Sequence, residues 1–265
     1  MKIFILLSVF ATLLFSKVYY SKVEPYETRK ISSNVSGEVI YIDEDMIGKI
    51  LSKKPYLEID SVLDKDELKY TKEKLKNIKQ TIKLDEMMAT NLKESVDKKR
   101  LNYDRVKKLK IKSSVEKDRE FYDLVASENS YISIQKEIYS LKRQVYDLEL
   151  REVQLKKTIE DKRLIDNGFT LYSIDVKVGQ VVSRSIPLAT IADTSKAILT
   201  IYLDEDDLSN AKDKLIYIDG KKTDYKLSRV LNIADSKNIS KYMAQIVIKS
   251  PKVFSKLVKI ELRDK

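Results

Sequence analysis

From Tyr56 to Asn167 the apolar residues of this chain recur every seven positions, with charged residues between them. One row reads Leu68, Leu75, Ile82, Ala89, Val96, Tyr103. Its companion holds Ile78, Leu92 and Val106 and is interrupted by Thr71, Asp85 and Lys99. Further on, Leu124, Tyr131, Ile138, Val145 and Ile159 form a row broken by Glu152, beside Ile134, Leu141, Leu148 and Leu155. A sustained seven-residue repeat of this kind predicts a coiled coil. The two sets fall out of register near residues 107–115, so the pattern predicts two helices joined by a turn. Lys107, Lys108, Lys110 and Lys112 crowd the end of the first, where positive charge suits the helix dipole. Ser113, with Glu116 three residues on, has the spacing of a capping box that opens the second. Asp64 and Glu67 show similar spacing at the start of the first. Each arm then spans about 45–50 residues, or roughly 70 Å at 1.5 Å per residue.

The flanks have a different pattern. The five glycines and four prolines all lie outside the helical stretch. Residues 31–61 and 163–194 repeat one another: Gly37 and Gly48 are eleven apart, as are Gly168 and Gly179. Pro55, Leu57, Ile59 and Asp60 follow the first pair; Pro187, Leu188, Ile191 and Asp193 follow the second. Between the glycines lie β-prone runs, VIYI and FTLYSIDVKV, and glycine in such places marks turns needing positive φ. Each half is too small to bury a face alone, so the two are expected to pair around the inserted hairpin. From Ala197 onward, 197–203, 215–219, 224–233, 243–249 and 257–262 read as five short strands, with Asp219-Gly220 a hairpin turn. Such a run of short strands predicts a small β-barrel.

The chain opens with Met1, Lys2 and an apolar run from Ile3 to Phe15. That run fits a secretory signal, and extended through Val18, Tyr19 and Tyr20 it fits a signal anchor. Both readings place the remainder outside the cytoplasm. Of the 265 residues none is Cys, His or Trp, and the net charge is +10. Lack of histidine removes the commonest general base and metal ligand, and no catalytic constellation stands out. The lysines are dispersed among carboxylates rather than gathered into a nucleic-acid-binding patch. Asp204, Glu205, Asp206 and Asp207 read as a helix N-terminus before Leu208 rather than a calcium loop, since no ligand spacing or glycine follows.

VSGEV at Val35–Val39, LEID at Leu57–Asp60, VKVGQVV at 176–182 and PLATIAD at 187–193, in this order, resemble the split lipoyl-type domain of HlyD-type periplasmic adaptors, the membrane fusion proteins. The resemblance implies an α+β chain, with a long antiparallel coiled-coil hairpin inserted between two halves of a lipoyl-like β-sandwich, followed by a small β-barrel. The segments are then 1–20 signal anchor or signal peptide, 21–61 first half, 62–162 hairpin with its tip near 110–115, 163–196 second half, and 197–265 barrel. Gly37, Gly48, Gly168 and Gly179 take the lipoyl-like turns. The implied role is non-enzymatic and needs no cofactor. It links an inner-membrane transporter, of resistance-nodulation or ABC type, to a TolC-type outer-membrane channel, with copies in a homo-oligomeric ring and the membrane reached through the N-terminus. Arg105, Leu109, Ser113 and Ser114 are the implied docking residues at the tip. The family's serine position falls on Glu116 here, and the two serines arrive two or three residues early. A coiled-coil envelope tether without a transport role, and a carrier modified at Lys65, are the alternatives.

Overall fold

In the computed structural model, residues 17–264 are described apart from 236, 237 and 239. The strands are β1 (Lys17–Ser32), β2 (Gly37–Ile42), β3 (Leu57–Ile59), β4 (Arg163–Leu164), β5 (Thr170–Ile174), β6 (Val181–Val182), β7 (Pro187–Leu203), β8 (Leu215–Ile218), β9 (Lys221–Lys222), β10 (Leu227–Ala234), β11 (Tyr242–Lys249) and β12 (Leu257–Arg263). The helices are α1 (Val62–Lys108), α2 (Ser114–Asp161) and the short α3 (Glu205–Leu208). Helices α1 and α2 run 47 and 48 residues, within the length the repeat predicts.

Segments on either side of the hairpin share one core. Val35, Val39, Leu51, Tyr56, Leu57 and Ile59 precede α1; Leu164, Leu171, Val176, Val182, Leu188, Ala189 and Ile191 follow α2. Backbone bonds stitch the halves together: Gly48 N–H to the Leu171 carbonyl at 2.8 Å, Leu51 N–H to Phe169 at 2.7 Å, and Val39 N–H to Gln180 at 2.9 Å. Gly48, Gly168 and Gly179 sit at φ 81°, 82° and 84°, in turns as their spacing suggests. Gly37 differs: it opens β2, and a Cβ there would lie 2.7 Å from Ile59 Cγ2. Close approach of two strands, rather than a turn, requires that glycine. The second β-prone run ends early, with β5 stopping at Ile174.

A second core lies in the C-terminal part, in a sheet ordered β10-β11-β7-β1-β12-β8-β9, with β5 also on β7. Leu199, Ile201 and Leu203 of β7 meet Ile216, Leu227, Ala244, Ile246, Val258, Ile260 and Leu262 there. The alternating burial of β7 and β11 is what one solvated face and one packed face require. Asp219 and Gly220 join β8 to β9 with φ of 49° and 78°, the two positive values of a type I′ turn.

Two expected boundaries move. Lys17–Lys22 of β1 pair with β12, and Val23–Ser32 pair with β7, so the chain from residue 17 is sheet rather than the end of an anchor. Val23 therefore belongs to the C-terminal core, not to the first half-domain. The boundary at 196/197 falls inside β7, at a register shift opposite Pro25 and Glu27. Proline cannot donate to a ladder, and its place at that shift follows. The apolar run Ile3–Phe15 lies outside the described residues. Among those described, no helix is long and apolar enough to cross a membrane.

Candidate partner-docking tip of the hairpin

The hairpin leaves its base in a fixed direction because both helices grow from one strand pair. β3 and β4 are antiparallel, with Leu57 opposite Leu164 and Glu58 opposite Arg163. Asp60 Oδ1 accepts the Val62 N–H at 2.9 Å and opens α1. The expected Asp64–Glu67 box does not form: Asp64 accepts from the largely buried Lys162, and Glu67 takes a two-pronged contact from Arg151 at 2.7 and 2.8 Å. Both carboxylates therefore tie α1 to α2, since partners across the seam satisfy them better than their own helix terminus.

Between the arms, Leu75, Ile82, Ile138, Leu141 and Val145 form the seam, with Ile78, Ala89, Ile134 and Leu148 packed against it. Thr71, an interruption of the apolar row, is nonetheless buried. Nearer the turn, Tyr103 and Phe121 close the seam at 5.6 Å between ring centroids, and Lys107 Nζ stands 5.6 Å from the centroid of Tyr103.

The turn occupies residues 109–113. Ser113 caps α2 in a full capping box: its Oγ accepts the Glu116 N–H at 3.3 Å, and Glu116 Oε2 accepts the Ser113 N–H at 3.0 Å. Lys112 Nζ donates to Glu116 at 2.8 Å. That bond first, then the Ser113 N–H and hydroxyl, hold the Glu116 carboxyl down at about 2. Glu116, standing where the family pattern has serine, is thus committed to the turn. Ser114 is the exposed first residue of α2. Arg105 is exposed one turn before the end of α1, with no hydrogen bond or ion pair among the described residues. Leu109 ends α1 with its N–H on the Val106 carbonyl at 3.0 Å and stays 43% exposed.

Arg105, Leu109, Ser113 and Ser114 are brought to one end of the hairpin, where Ser113 is committed to the cap and the other three are exposed. Two more belong with them: Ile111 is 89% exposed and Val115 75%. The signal was the alternation of lysine with apolar residues over 107–112, a poor pattern for a seam and a good one for a surface.

The acidic run at 204–207 opens a helix, as its composition suggests, with Glu205, Asp206 and Asp207 in the first turn of α3. Asp204 precedes α3 but makes no cap bond. It pairs instead with Lys17 at 3.0 Å and with Lys241. Asp207 accepts from Tyr19 at 2.6 Å, Lys17 at 2.8 Å and Lys214 at 3.3 Å. Burial alone would raise the Asp207 carboxyl, and those donors outweigh it. Among the described residues no group of three or more acidic, His or Cys side chains is arranged to hold a metal. Lys65 lies in the first turn of α1, its N–H on the Ser61 carbonyl at 3.0 Å.

No protein-family model and no curated protein matches this sequence. Solved structures do. MacA from Actinobacillus actinomycetemcomitans is 19% identical, over 93% of this chain and 78% of that one, with a TM-score of 0.65. The membrane fusion protein Spr0693 from Streptococcus pneumoniae R6 is 14% identical over 94% and 100%, at 0.56. A MacA–MexA chimera carrying the Pseudomonas aeruginosa MexA alpha-hairpin domain is 14% identical over 94% and 81%, at 0.55. A long helical hairpin rising from a β core is shared over almost the whole chain, and the fold is that of MacA and of the membrane fusion protein Spr0693. At these identities the likeness is one of fold.

Proposed function

We propose that this chain is an exported adaptor of HlyD type, held at the inner membrane through its N-terminal apolar run. It links an inner-membrane transporter, of resistance-nodulation or ABC type, to a TolC-type outer-membrane channel. Its work is positional rather than catalytic. The lipoyl-like halves of several copies pack into a ring, the C-terminal β region and the N-terminus engage the transporter, and the hairpins reach for the channel. The observation that carries this reading is the tip, about 70 Å from the β cores by helix rise, where Leu109, Ile111 and Val115 are exposed among Arg105 and five lysines. Exposed apolar side chains at the far end of a projecting element mark a contact surface, and nothing in the fold itself needs them there.

The test is Arg105→Asp with Leu109→Ser in the full chain. Export or resistance falls at least tenfold, while thermal unfolding shifts by no more than a few degrees because both side chains are exposed. Full activity at normal protein level removes the tip from the mechanism. Loss of activity that tracks loss of folded protein makes the two residues structural.

A further inference from the structure

One outward face of the C-terminal sheet combines exposed apolar side chains with unpaired lysines. On β1, Tyr19 and Val23 turn to the core, which leaves Val18, Tyr20 and Lys22 on the outer face. Across the ladder their neighbours are Glu261, Lys259 and Leu257 of β12, and the first row continues through Tyr217 of β8 to Lys222 of β9. Tyr20 is 64% exposed and Leu257 63%. Nothing in the fold covers them.

The carboxylates of this face are already taken up. Glu261 is buried beneath Lys259 Nζ at 2.8 Å and Arg263 Nε at 3.0 Å, and Arg263 also lies over the Tyr217 ring at 4.2 Å. Asp219, at the β8–β9 turn, accepts the Lys259 N–H at 3.0 Å and pairs with Lys256 at 3.2 Å. The side chains of Lys22 and Lys222 are exposed, with no hydrogen bond or ion pair among the described residues. The free charge of the face is therefore positive. It stops at Glu24, the next outward residue of β1, which lines an open groove with Thr200 and Gln245.

Tyrosine rings settle at the headgroup level of a bilayer, lysine stems lie along apolar surface with their charge in water, and an anionic leaflet attracts them. A protein partner matches the face less well, because the cores of protein interfaces are depleted in lysine and enriched in arginine, and Arg263 is already engaged. Position agrees with composition. Tyr20 is five residues past Phe15, the end of the apolar run, and an extended chain of that length reaches at most about 18 Å. We propose that the outer face of β1, β12 and β8 rests on the anionic bilayer that holds the apolar run, with Tyr20 and Leu257 in the headgroup layer and Lys22 and Lys222 on lipid phosphates. The proposal depends on the membrane reading of that run and adds a second contact, which sets the tilt of the β region.

The chain has no cysteine, so a single introduced one takes a fluorophore cleanly. The full chain, labelled at Leu257→Cys, is reconstituted into vesicles of phosphatidylethanolamine and phosphatidylglycerol that carry a shallow nitroxide lipid. A label at Ile233→Cys, 80% exposed on β10 at the far end of the sheet order, is the reference. The Leu257 label is quenched several-fold more than the reference. Lys22→Glu with Lys222→Glu brings that quenching down to the reference level, with circular dichroism unchanged, and so does replacing both lipids by phosphatidylcholine. If the chain floats with the vesicles but the two labels quench alike, the anchor stands and this face falls. Equal quenching in phosphatidylcholine overturns the assignment to anionic lipid. A Leu257 label shielded in native membranes yet unquenched in pure lipid means that a protein covers the face, which also overturns it. A chain that does not float with vesicles takes down both the anchor and this contact.

Discussion

The seam of the hairpin and the core of the C-terminal sheet are built from the same aliphatic side chains, yet bury them differently. Leu199 on β7 is 0% exposed, between β1 and β11 and above side chains from β8 and β12. Leu141, near the middle of α2, is 9% exposed and has one helix to lean on. A sheet core is closed on every side and fails as a unit. A two-helix seam is one layer thick and fails locally. An element that must project far from its support accepts the second kind of stability, which leaves its outer faces free to meet partners.

The largest effect that tests this contrast is Leu199→Ala, expected to cost about 2–5 kcal/mol, the range for a leucine truncated in a closed core. Leu141→Ala removes the same atoms and should cost less, because the exposed seam lets neighbours and water relax into the gap. Denaturant midpoints, read by amide exchange of β7 and β11 for the sheet and helical circular dichroism for the hairpin, separate the two. Equal costs in both places would break the comparison.

A smaller effect is expected at the turn. Ser113→Ala loses the capping box and about 1 kcal/mol, confined to the hairpin end. Amide exchange at Val115, Glu116 and Lys117 should accelerate while the β strands keep their protection. Acceleration spreading to β7 would mean the two regions are coupled more tightly than their packing implies.

The smallest is a pH effect. Glu116 is held at about 2 in the fold, against an ordinary value of 4.5. A carboxyl whose folded value is depressed contributes stability above its unfolded value, lost as pH falls through the folded one. The cap should therefore loosen between about pH 4.5 and 2, seen as chemical-shift changes at Ser113 and Glu116. Glu116→Gln should abolish that dependence.

Much of the hairpin was legible because its signals are local and periodic. The heptads place Leu75, Ile82, Ile138 and Val145 in the seam, and the Ser113–Glu116 spacing locates the second helix's start to the residue. What was hidden depends on groups distant in sequence. Asp64 and Glu67 have a capping pattern but bind Lys162 and Arg151, some 98 and 84 residues away. The run at 204–207 has the composition of a helix start, and only the return of Lys17, Tyr19 and Lys241 shows what Asp204 and Asp207 bind. Val18, Tyr19 and Tyr20 look alike to a membrane and to a β-strand until β12 is beside them. At the tip, Arg105 and Leu109 were singled out by the resemblance, Ile111 lies in the lysine-apolar alternation over 107–112, and Val115 is evident only from exposure.

The pairing of β1 with β7 has a mechanical consequence. The two cores are tied by a continuous antiparallel ladder from Val23–Leu199 to Ser32–Pro187, broken only by its register shifts, rather than by a single flexible connector. A pull along those strands loads many hydrogen bonds in shear together, so the junction resists stretching. Bending across the ladder concentrates where Pro25 and Glu27 lose register with Ala197 and Asp193. A sideways load on the far end of the hairpin then acts on a spring leaf creased there and again between Ile31 and Ser32, returning as flexure about those creases rather than as slack.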